Sequence, residues 1–413
     1  MYTEVKKCRI CGNTNLVKLI ELGKQALTGV FPKNKNEAIT SGPLTLVKCH
    51  GDMVCGLVQL AHSYPLDEMY GVNYGYRSGL NSSMVQHLKN KVEKIKSIIK
   101  INSGDVIVDI GSNDATTLQQ YNLSNCRLVG IDPTANKFRE FYTSNIELIP
   151  DFFSAEIFEM KLGATKAKIV TSFSMFYDLE EPVKFMAEIE KILDTNGIWI
   201  FEQSYMPLML STNSYDTICH EHLEYYSLKQ ILWMAEKVDL EIVDVELNDI
   251  NGGSFSITAQ KKGGQLKVSQ SVKDMIESEK KQKLDDIETY LKFAKRVQDS
   301  KENLLQFIYD ANTSGKTIAA LGASTKGNVL LQFCKIDENI LPYIGEVNQE
   351  KFGSYTPGTY IPIVDEKELL KRKPDYVLVL PWHFRKYFES QPRYKGLTFV
   401  YPLPDLNIYK HEK

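Results

Sequence analysis

Two separate parts of the chain share one pattern, an apolar strand followed by a glycine loop and the start of a helix. Val106–Ile110 precedes Gly111, and the run that ends at Leu321 precedes Gly322. Continuous apolar runs of this length are typical of strands that are buried on both faces of a parallel sheet. Glycine lets the backbone turn sharply and approach a ligand closely. The sequence therefore predicts an α/β protein with two Rossmann-like units.

The length of 413 residues exceeds that of a single ordinary core, so we expect more than one domain. The pattern at 85–100 predicts an amphipathic helix before the first apolar strand. Residues 268–313 are charged and periodic, which predicts one long helix or a helix pair between domains. We therefore expect an N-terminal domain at 1–70 and an α/β domain at 71–265. A linker helix and the second Rossmann-like domain follow at 266–413.

Four of the seven cysteines cluster near the N-terminus, namely Cys8, Cys11, Cys49 and Cys55. Cys8 and Cys11 form a C-x2-C knuckle, whereas five residues separate Cys49 from Cys55. In a reducing compartment such clustering indicates metal rather than disulfides. Four thiolates suit a closed, structural zinc site. The wide second spacing leaves His50 as an alternative ligand, and incidental thiols as the alternative to a metal site.

The loop after Val106–Ile110 favours S-adenosylmethionine (SAM) over a dinucleotide. It has a single glycine, Gly111, where a pyrophosphate site needs G-x-G-x-x-G. Asp114 would repel a pyrophosphate but suits the ammonium of a methionine-type tail. Asp132 ends the next predicted strand, where a carboxylate can accept both hydroxyls of a ribose. A strand–loop–helix without any ligand is the alternative.

A further predicted strand, from Ile169, leads into a loop with Phe173 and Phe176, which could line the cofactor site or belong to the core. The candidate cofactor residues share these loops at strand ends: Asp109, Gly111, Asn113, Asp114, Asp132, Pro133, Ser172 and Phe173.

The densest group of proton-transferring side chains is His220, Glu221, His222, Tyr225 and Tyr226. The group begins shortly after Ile198–Glu202, a predicted parallel strand. Since ligands bind at the carboxyl ends of such strands, we expect acid–base chemistry on a bound small molecule. An ordinary polar helix N-terminus is the alternative.

The second glycine loop contains Ser324, Thr325 and Lys326, whose donors and free backbone amides suit a phosphate. We favour the hypothesis that this loop binds a nucleotide diphosphate over a purely structural role for the loop. Asn251 lies in a turn between two predicted strands, which indicates a hairpin. A contact between this turn and a ligand would be additional to the hairpin. The candidate substrate-binding residues are Tyr74, Tyr177, Tyr225, Asn251, Ser324, Thr325, Lys326, Asn328 and Lys351.

Composition excludes some classes of partner. The net charge of -3 argues against a general binder of nucleic acid or anionic membranes. The N-terminus has no apolar core of a signal peptide, and no apolar run reaches the roughly 20 residues that span a bilayer. We therefore expect a cytoplasmic protein. The sequence leaves the oligomeric state open, and a monomer is one of the states that it allows.

Seven motifs in this order resemble the bacterial nucleotide-sugar C-methyltransferases over nearly the whole chain. They are CGLVQL at Cys55–Leu60, YGYRSG at Tyr74–Gly79, DIGSND at Asp109–Asp114, HEHLEYYS at His220–Ser227, NGGSF at Asn251–Phe255, GASTKGN at Gly322–Asn328 and PGTYIPI at Pro357–Ile363. The resemblance implies a zinc-binding N-terminal domain, a SAM-binding middle domain and a Rossmann-like C-terminal domain that helps to hold the nucleotide-sugar.

The resemblance also implies the activity, which is methyl transfer from SAM to a carbon next to the ketone of a nucleotide-linked keto-deoxysugar. His222 would be the base, with Glu221 and Tyr76 nearby and His220 as a further candidate. A proton beside a carbonyl is acidic enough for a histidine to remove, and the resulting enolate carbon would attack the methyl group in line.

Two residues depart from the family pattern. Relatives often have Tyr where this chain has Cys219, and a thiol stabilises an enolate poorly. They also often have Gly at Ala115. The alternatives are therefore O-methylation of a nucleotide-linked sugar and a non-catalytic protein that binds nucleotide-sugars. A nicotinamide-dependent oxidoreductase is the third choice.

Overall fold

The computed structural model describes residues 2–65, 68–69, 77–123 and 125–412. Tyr74 and Tyr76 therefore lie outside the described residues. The N-terminal part contains strands β1 (Thr3–Glu4), β2 (Leu16–Ala26), β3 (Ser41–Cys49), β4 (Val58–Leu60) and β5 (His62–Ser63). β2, β3 and β4 pair antiparallel, and β1 pairs with β5. A short strand from the middle of the chain, β11 (Glu224–Tyr225), completes the larger sheet in the order β11-β4-β3-β2.

Within the described residues, the central domain has a seven-stranded sheet. In chain order its elements are α1 (Ser82–Ile98), β6 (Val106–Ile110), β7 (Arg127–Ile131), β8 (Ile146–Ile149), α2 (Ala155–Leu162), β9 (Ala167–Phe173), α3 (Pro182–Ile192), β10 (Leu193–Ser204), α4 (Met206–Ser211), α5 (Leu228–Lys237), β12 (Leu240–Asn248) and β13 (Ser254–Lys261). The strand order is β12-β13-β10-β9-β6-β7-β8. β6 to β10 are parallel, and β13 runs antiparallel to both of its neighbours.

Helices α6 (Gln270–Lys281) and α7 (Ile287–Thr313) lead from this domain to the C-terminal domain. Strands β14 (Ile318–Leu321), β15 (Ile344–Glu346), β16 (Ile363–Asp365), β17 (Tyr376–Val379), β18 (Thr398–Tyr401) and β19 (Asn407–Lys410) alternate with helices α8 (Thr325–Cys334), α9 (Glu366–Arg372) and α10 (Arg385–Ser390). The strands follow one another in the order β16-β15-β14-β17-β18-β19, and β19 is the antiparallel member. This is the Rossmann order. From β14 the chain adds strands first toward β16 and then, starting with β17, on the other side of β14, so the strand order reverses between β14 and β17.

The N-terminal part shares its core with both other domains. Leu44 and Leu46 of β3 belong to one apolar cluster with Leu330 of α8, whereas Cys8 and Cys55 pack with the core of the central domain. A segment this small has too little apolar surface for a core of its own, so its folding depends on these neighbours and on metal.

The predicted fold class is confirmed, including the amphipathic helix before β6, the hairpin around Asn251 and the helix pair before the C-terminal domain. The helical alternative for the acid–base group is wrong, because residues 218–223 form a loop that leads into β11. Among the described helices, none combines the length and the apolar character that crossing a membrane requires.

Candidate active site and metal centre

The metal centre consists of Cys8, Cys11, Cys49 and Cys55, whose sulfur atoms all lie within 4.8 Å of one another. The Sγ atoms of Cys8 and Cys55 are 3.3 Å apart, and those of Cys11 and Cys49 are 3.5 Å apart. Sulfur ligands at about 2.3 Å from a tetrahedral zinc ion are about 3.8 Å from each other. The four thiols therefore fit zinc with only small shifts, and the exposed His50 is not part of the group.

The cofactor loop joins β6 to the end of β7. Gly111 has a positive φ of 72°, and the amide of Asn113 donates to Oδ2 of Asp132 at 2.8 Å. Oδ1 of Asp132 accepts from the amide and the hydroxyl of Thr134, at 2.6 and 2.7 Å. These bonds fix the carboxylate at the carboxyl end of β7, where a ribose would lie. Pro133, the next residue, is exposed.

The other polar residues of this loop are already hydrogen-bonded within the chain. Oδ2 of Asp114 accepts from the amide of Gly79 at 2.9 Å and lies 3.3 Å from Nε of Arg77. The side chain of Asn113 accepts from the amide of Ser78 at 3.0 Å. The segment 77–80 thus covers the cofactor loop.

Asp109 lies beneath the loop. Burial raises the pKa of its carboxyl to about 7, although the hydroxyl of Thr171 donates to it at 2.6 Å. Ser172 is also buried, and its hydroxyl accepts from Nε1 of Trp199 at 3.0 Å. Phe173 is half-buried at the end of β9. The side chain of Ser172 therefore serves the core, and Phe173 remains a candidate for the cofactor pocket.

His222 lies in the loop before β11. Its Nδ1 is 2.9 Å from the carbonyl oxygen of Thr217, and its ring meets that of Tyr177 edge-on at 4.4 Å. A carbonyl only accepts, so Nδ1 carries the hydrogen and Nε2 keeps the lone pair. Burial, and secondly the positive charge of Lys326, lower the pKa of His222 to about 4. The imidazole is therefore neutral near pH 7 and can accept a proton.

Glu221 and His220 of the acid–base group face the N-terminal part. The hydroxyl of Thr28 donates to Glu221 at 3.3 Å, and burial raises the pKa of that carboxyl. His220 is fully buried edge-on against Tyr64, with ring centroids 4.6 Å apart, and burial lowers its pKa to about 4. Tyr225 is buried as well. His220 thus packs in the protein interior, whereas Glu221 flanks His222 in the chain.

The glycine loop of the C-terminal domain meets this group. Ser324 caps α8, because its hydroxyl accepts from the amide of Gly327 at 3.0 Å. Nζ of Lys326 donates to the carbonyl oxygen of Asn251, and Asn251 donates through Nδ2 to Ser174 at 3.3 Å. Thr325 is half-buried in the first turn of α8.

Two further candidates of the C-terminal domain bridge to the N-terminal part. Nδ2 of Asn328 donates to the carbonyl oxygen of Thr28 at 2.8 Å. Nζ of Lys351 donates to the carbonyl oxygen of Ala323 at 2.7 Å and lies over the ring of Phe31 at 4.4 Å. Asn328 is therefore a link between domains, and Lys351 adds a positive charge near the loop.

The loop after β9 contacts both the cofactor loop and the residues around His222 and Asn251. Met175 packs against Gly111, since a Cβ built there would lie 3.1 Å from its Cγ. Ser174 accepts from Asn251, and Tyr177 contacts His222. Residues 174–177 therefore contact the cofactor loop, Asn251 and His222.

Sequence reasoning missed Asp216, Trp382, His383 and Glu346. Nε1 of Trp382 donates to Oδ2 of the buried Asp216 at 2.8 Å, across the domain boundary. His383 lies beside Gly252, and burial lowers its pKa to about 3. Oε2 of Glu346, at the end of β15, accepts from the amide of Ala323 at 2.8 Å. The rule that ligands bind where the strand order reverses would have identified the end of β17, and hence Trp382 and His383.

Comparisons with known proteins agree with this organisation. Three family models match consecutive parts of the chain: a zinc binding domain at residues 8–70, a methyltransferase domain at 84–245 and a C-methyltransferase C-terminal domain at 249–404. The C-methyltransferase NovU of Streptomyces niveus is 28% identical over 99% of this chain and 98% of its own length.

Among solved structures, the methyltransferase CcbJ of Streptomyces caelestis is 10% identical, covering 43% of this chain and 90% of its own, with a TM-score of 0.33. The plantazolicin methyltransferase BpumL is 11% identical, covering 48% and 92% of the two chains, with a TM-score of 0.37.

The class of protein is a zinc-binding, SAM-dependent methyltransferase, since a four-thiolate site, a methyltransferase domain and a Rossmann-like C-terminal domain occur together. Within that class the chain is similar to the C-methyltransferase NovU over nearly its whole length, and residues 249–404 match the C-methyltransferase C-terminal domain.

Proposed function

We propose that the enzyme methylates a carbon beside the ketone of a nucleotide-linked keto-deoxysugar. We divide it accordingly into a zinc-binding domain at 1–70, a SAM domain at 71–265 and a nucleotide-sugar domain at 266–413. The observation that carries the proposal is the loop at 174–177, which contacts Gly111 of the cofactor loop and His222. A methyl donor at the cofactor loop and a carbon acid beside His222 would both lie next to this short segment, and such closeness is what direct transfer requires.

His222 is the proposed base. The carbonyl of Thr217 holds the hydrogen on Nδ1, so Nε2 is the atom that would receive the proton. A group with a pKa of about 4 is a weak base, because burial and, secondly, the charge of Lys326 disfavour its charged form. A diphosphate bound at Lys326 would compensate that positive charge and make His222 more basic once the substrate is present.

The proposed sugar-nucleotide site lies where the C-terminal strand order reverses. Lys326 and Lys351 supply positive charge there. The backbone amides of Thr325 and Lys326 lie in the first turn of α8, where amides can bind a phosphate. Asn251 accepts a hydrogen bond from Lys326 of this loop, and Tyr177 contacts His222. In the SAM domain, Asp132 would hold the ribose, and Asp109, Gly111, Asn113 and Asp114 would line the tail. SAM, when bound, supplies the electrophilic methyl group.

The test is proton exchange without methyl transfer. In heavy water, with S-adenosylhomocysteine and a panel of keto-sugar nucleotides, the wild type should exchange the proton beside the ketone for deuterium, as NMR would detect. His222→Gln should reduce exchange by about two orders of magnitude or more, the usual contribution of a general base. His62→Gln is the matched control, because His62 lies in β5 of the N-terminal part.

O-methylation is the competing chemistry, and the buried thiol at Cys219 is the feature that favours it, because it offers no phenol to stabilise an enolate. An O-methyl ether in the product, or normal exchange in His222→Gln, would contradict the proposal.

A further inference from the structure

Arg9, the first of the two residues between the knuckle cysteines, reaches the segment that carries His222. Its side chain is only 3% exposed. Nη1 donates to the carbonyl oxygen of Leu60 at 2.9 Å, and Nη2 donates to the hydroxyl of Ser63 at 2.9 Å. Nε lies 3.2 Å from Oε2 of Glu180 and 3.5 Å from Oε1 of Glu224. One guanidinium thus joins the metal knuckle to β4, to the segment after the 174–177 loop and to β11.

Strand β11 is one of the two edge strands of the N-terminal sheet. Glu224 and Tyr225 pair with Gln59 and Val58 of β4, and the amide of Leu60 donates to the carbonyl oxygen of Leu223 at 2.9 Å. His222 directly precedes this hydrogen-bonded residue. Because a two-residue strand has little stability alone, its position depends on the sheet that it joins.

A second contact ties the far end of β11 to the metal site. Nε2 of Gln230 donates to the carbonyl oxygen of Cys55 at 2.9 Å. The same side chain accepts, through Oε1, from the amide and the hydroxyl of Ser227, which caps α5. Residues in contact with two of the four metal-site cysteines, Cys8 and Cys55, therefore hold both ends of the segment from Leu223 to Ser227.

We propose that the metal knuckle positions the catalytic histidine, with Arg9, Glu224 and Gln230 as positioning residues. The chain of contacts runs from Cys8 through Arg9 to Glu224, and from Cys55 through Gln230 to Ser227. The proposal rests on the proposed function only in treating His222 as the base. The metal would then contribute to turnover without lying near the reacting atoms.

Hydrogen–deuterium exchange of backbone amides tests the coupling without any sugar substrate. Glu224→Gln keeps the strand and the size of the side chain but replaces the carboxyl group that faces Arg9 with an amide. We expect it to retain about one zinc per chain, the content of one four-thiolate site, and to bind SAM normally. Peptides covering residues 218–227 should exchange at least several-fold faster than in the wild type, while those covering 106–132 should not change.

Kinetics provide the second readout. Glu224→Gln and Arg9→Ala should lower kcat by about tenfold or more at an unchanged KM for SAM. Arg9→Lys should have a kcat between those of Arg9→Ala and the wild type, because an ammonium cannot reproduce the forked contacts of a guanidinium. The matched control is Arg127→Ala, which removes an exposed Arg–Glu pair between β7 and β8.

Chelation of zinc from the wild type should also accelerate exchange at 218–227 while SAM binding persists. Unchanged protection of 218–227 in zinc-loaded Glu224→Gln, or in the chelated protein, would overturn the proposal. A failure of His222 to act as the base would appear in the proton-exchange experiment and would leave this result unaffected.

Discussion

At the scale of single residues, the protonation of His222 is governed by its surroundings. Burial is the first cause of its lowered pKa, and the charge of Lys326 is the second. In the proposed mechanism the neutral form is the active one, so activity should be lost as the pH falls through the pKa of the folded enzyme. The acid limb of the kcat/KM profile should therefore lie well below the usual histidine value of about 6.5.

Lys326→Met should move this acid limb upward, toward the usual histidine value, because the variant loses the positive charge that opposes protonation. The shift should be partial, since burial remains. The KM for the nucleotide-sugar should also rise, whereas the affinity for SAM should not change. Lys351→Met is the control, because Lys351 is not among the causes of the shift at His222. An acid limb at the same pH in Lys326→Met would contradict the electrostatic explanation.

The role of a single residue could be predicted where its partners lie in a recognisable sequence pattern, and not where the sequence does not identify its partner. The four cysteines were predictable, because clustered thiols in a short segment are rare without metal. The cap made by Ser324 and the core bond of Ser172 were not, since both hydroxyls serve contacts that sequence spacing leaves open. Ala115 is buried in the left-handed region at a φ of 59°, a conformation that glycine adopts more readily than alanine.

At the scale of elements, the glycine loops of the two Rossmann-like units have a steric requirement. Gly322 has a φ of 83°, and a Cβ there would lie 2.6 Å from Cδ and Cγ of Pro381. The proline ring cannot move aside as a flexible side chain could. The turn between β14 and α8 therefore requires glycine both for its φ and for its space.

Gly322→Ala should destabilise the enzyme by about 2–4 kcal/mol, combining a strained φ with overpacking. Gly163→Ala is the matched control, because Gly163 has a φ of 70° but no described atom within 4 Å of its added Cβ. The difference between the two variants in chemical denaturation isolates the clash with Pro381. Equal losses of stability would show that the loop relaxes around the new methyl group.

Long, periodic elements could be predicted from the sequence, and short ones could not. Buried runs such as Val106–Ile110 and the charged periodicity of 268–313 gave the sheets and the helix pair. Strand β11 is too short for any periodicity, and its partner strand β4 belongs to a distant, N-terminal part of the chain. No local pattern could show that the acid–base segment joins the N-terminal sheet.

At the scale of the whole molecule, the hydrogen bond from Trp382 to the buried Asp216 links the C-terminal and central domains. Trp382→Phe should lower the temperature of thermal unfolding, because it leaves a buried carboxyl without a strong donor at a cost of about 1–3 kcal/mol. It should also raise the KM for the nucleotide-sugar and leave SAM binding unchanged. Trp233→Phe is the control, since Trp233 is half-buried on α5 beside Lys237. A Trp382→Phe variant as stable as the wild type would contradict this role.

The completion of the N-terminal sheet by β11 has a consequence for enzyme engineering. A chimera that exchanges the whole N-terminal sheet, β1 to β5, for that of a relative would also replace the surface on which the strand after His222 is built. Such a hybrid should work only if the donor supplies an arginine between its knuckle cysteines and the recipient keeps Glu224 and Gln230. Recombination boundaries drawn at the ends of the apparent domains would separate residues that have to be inherited together.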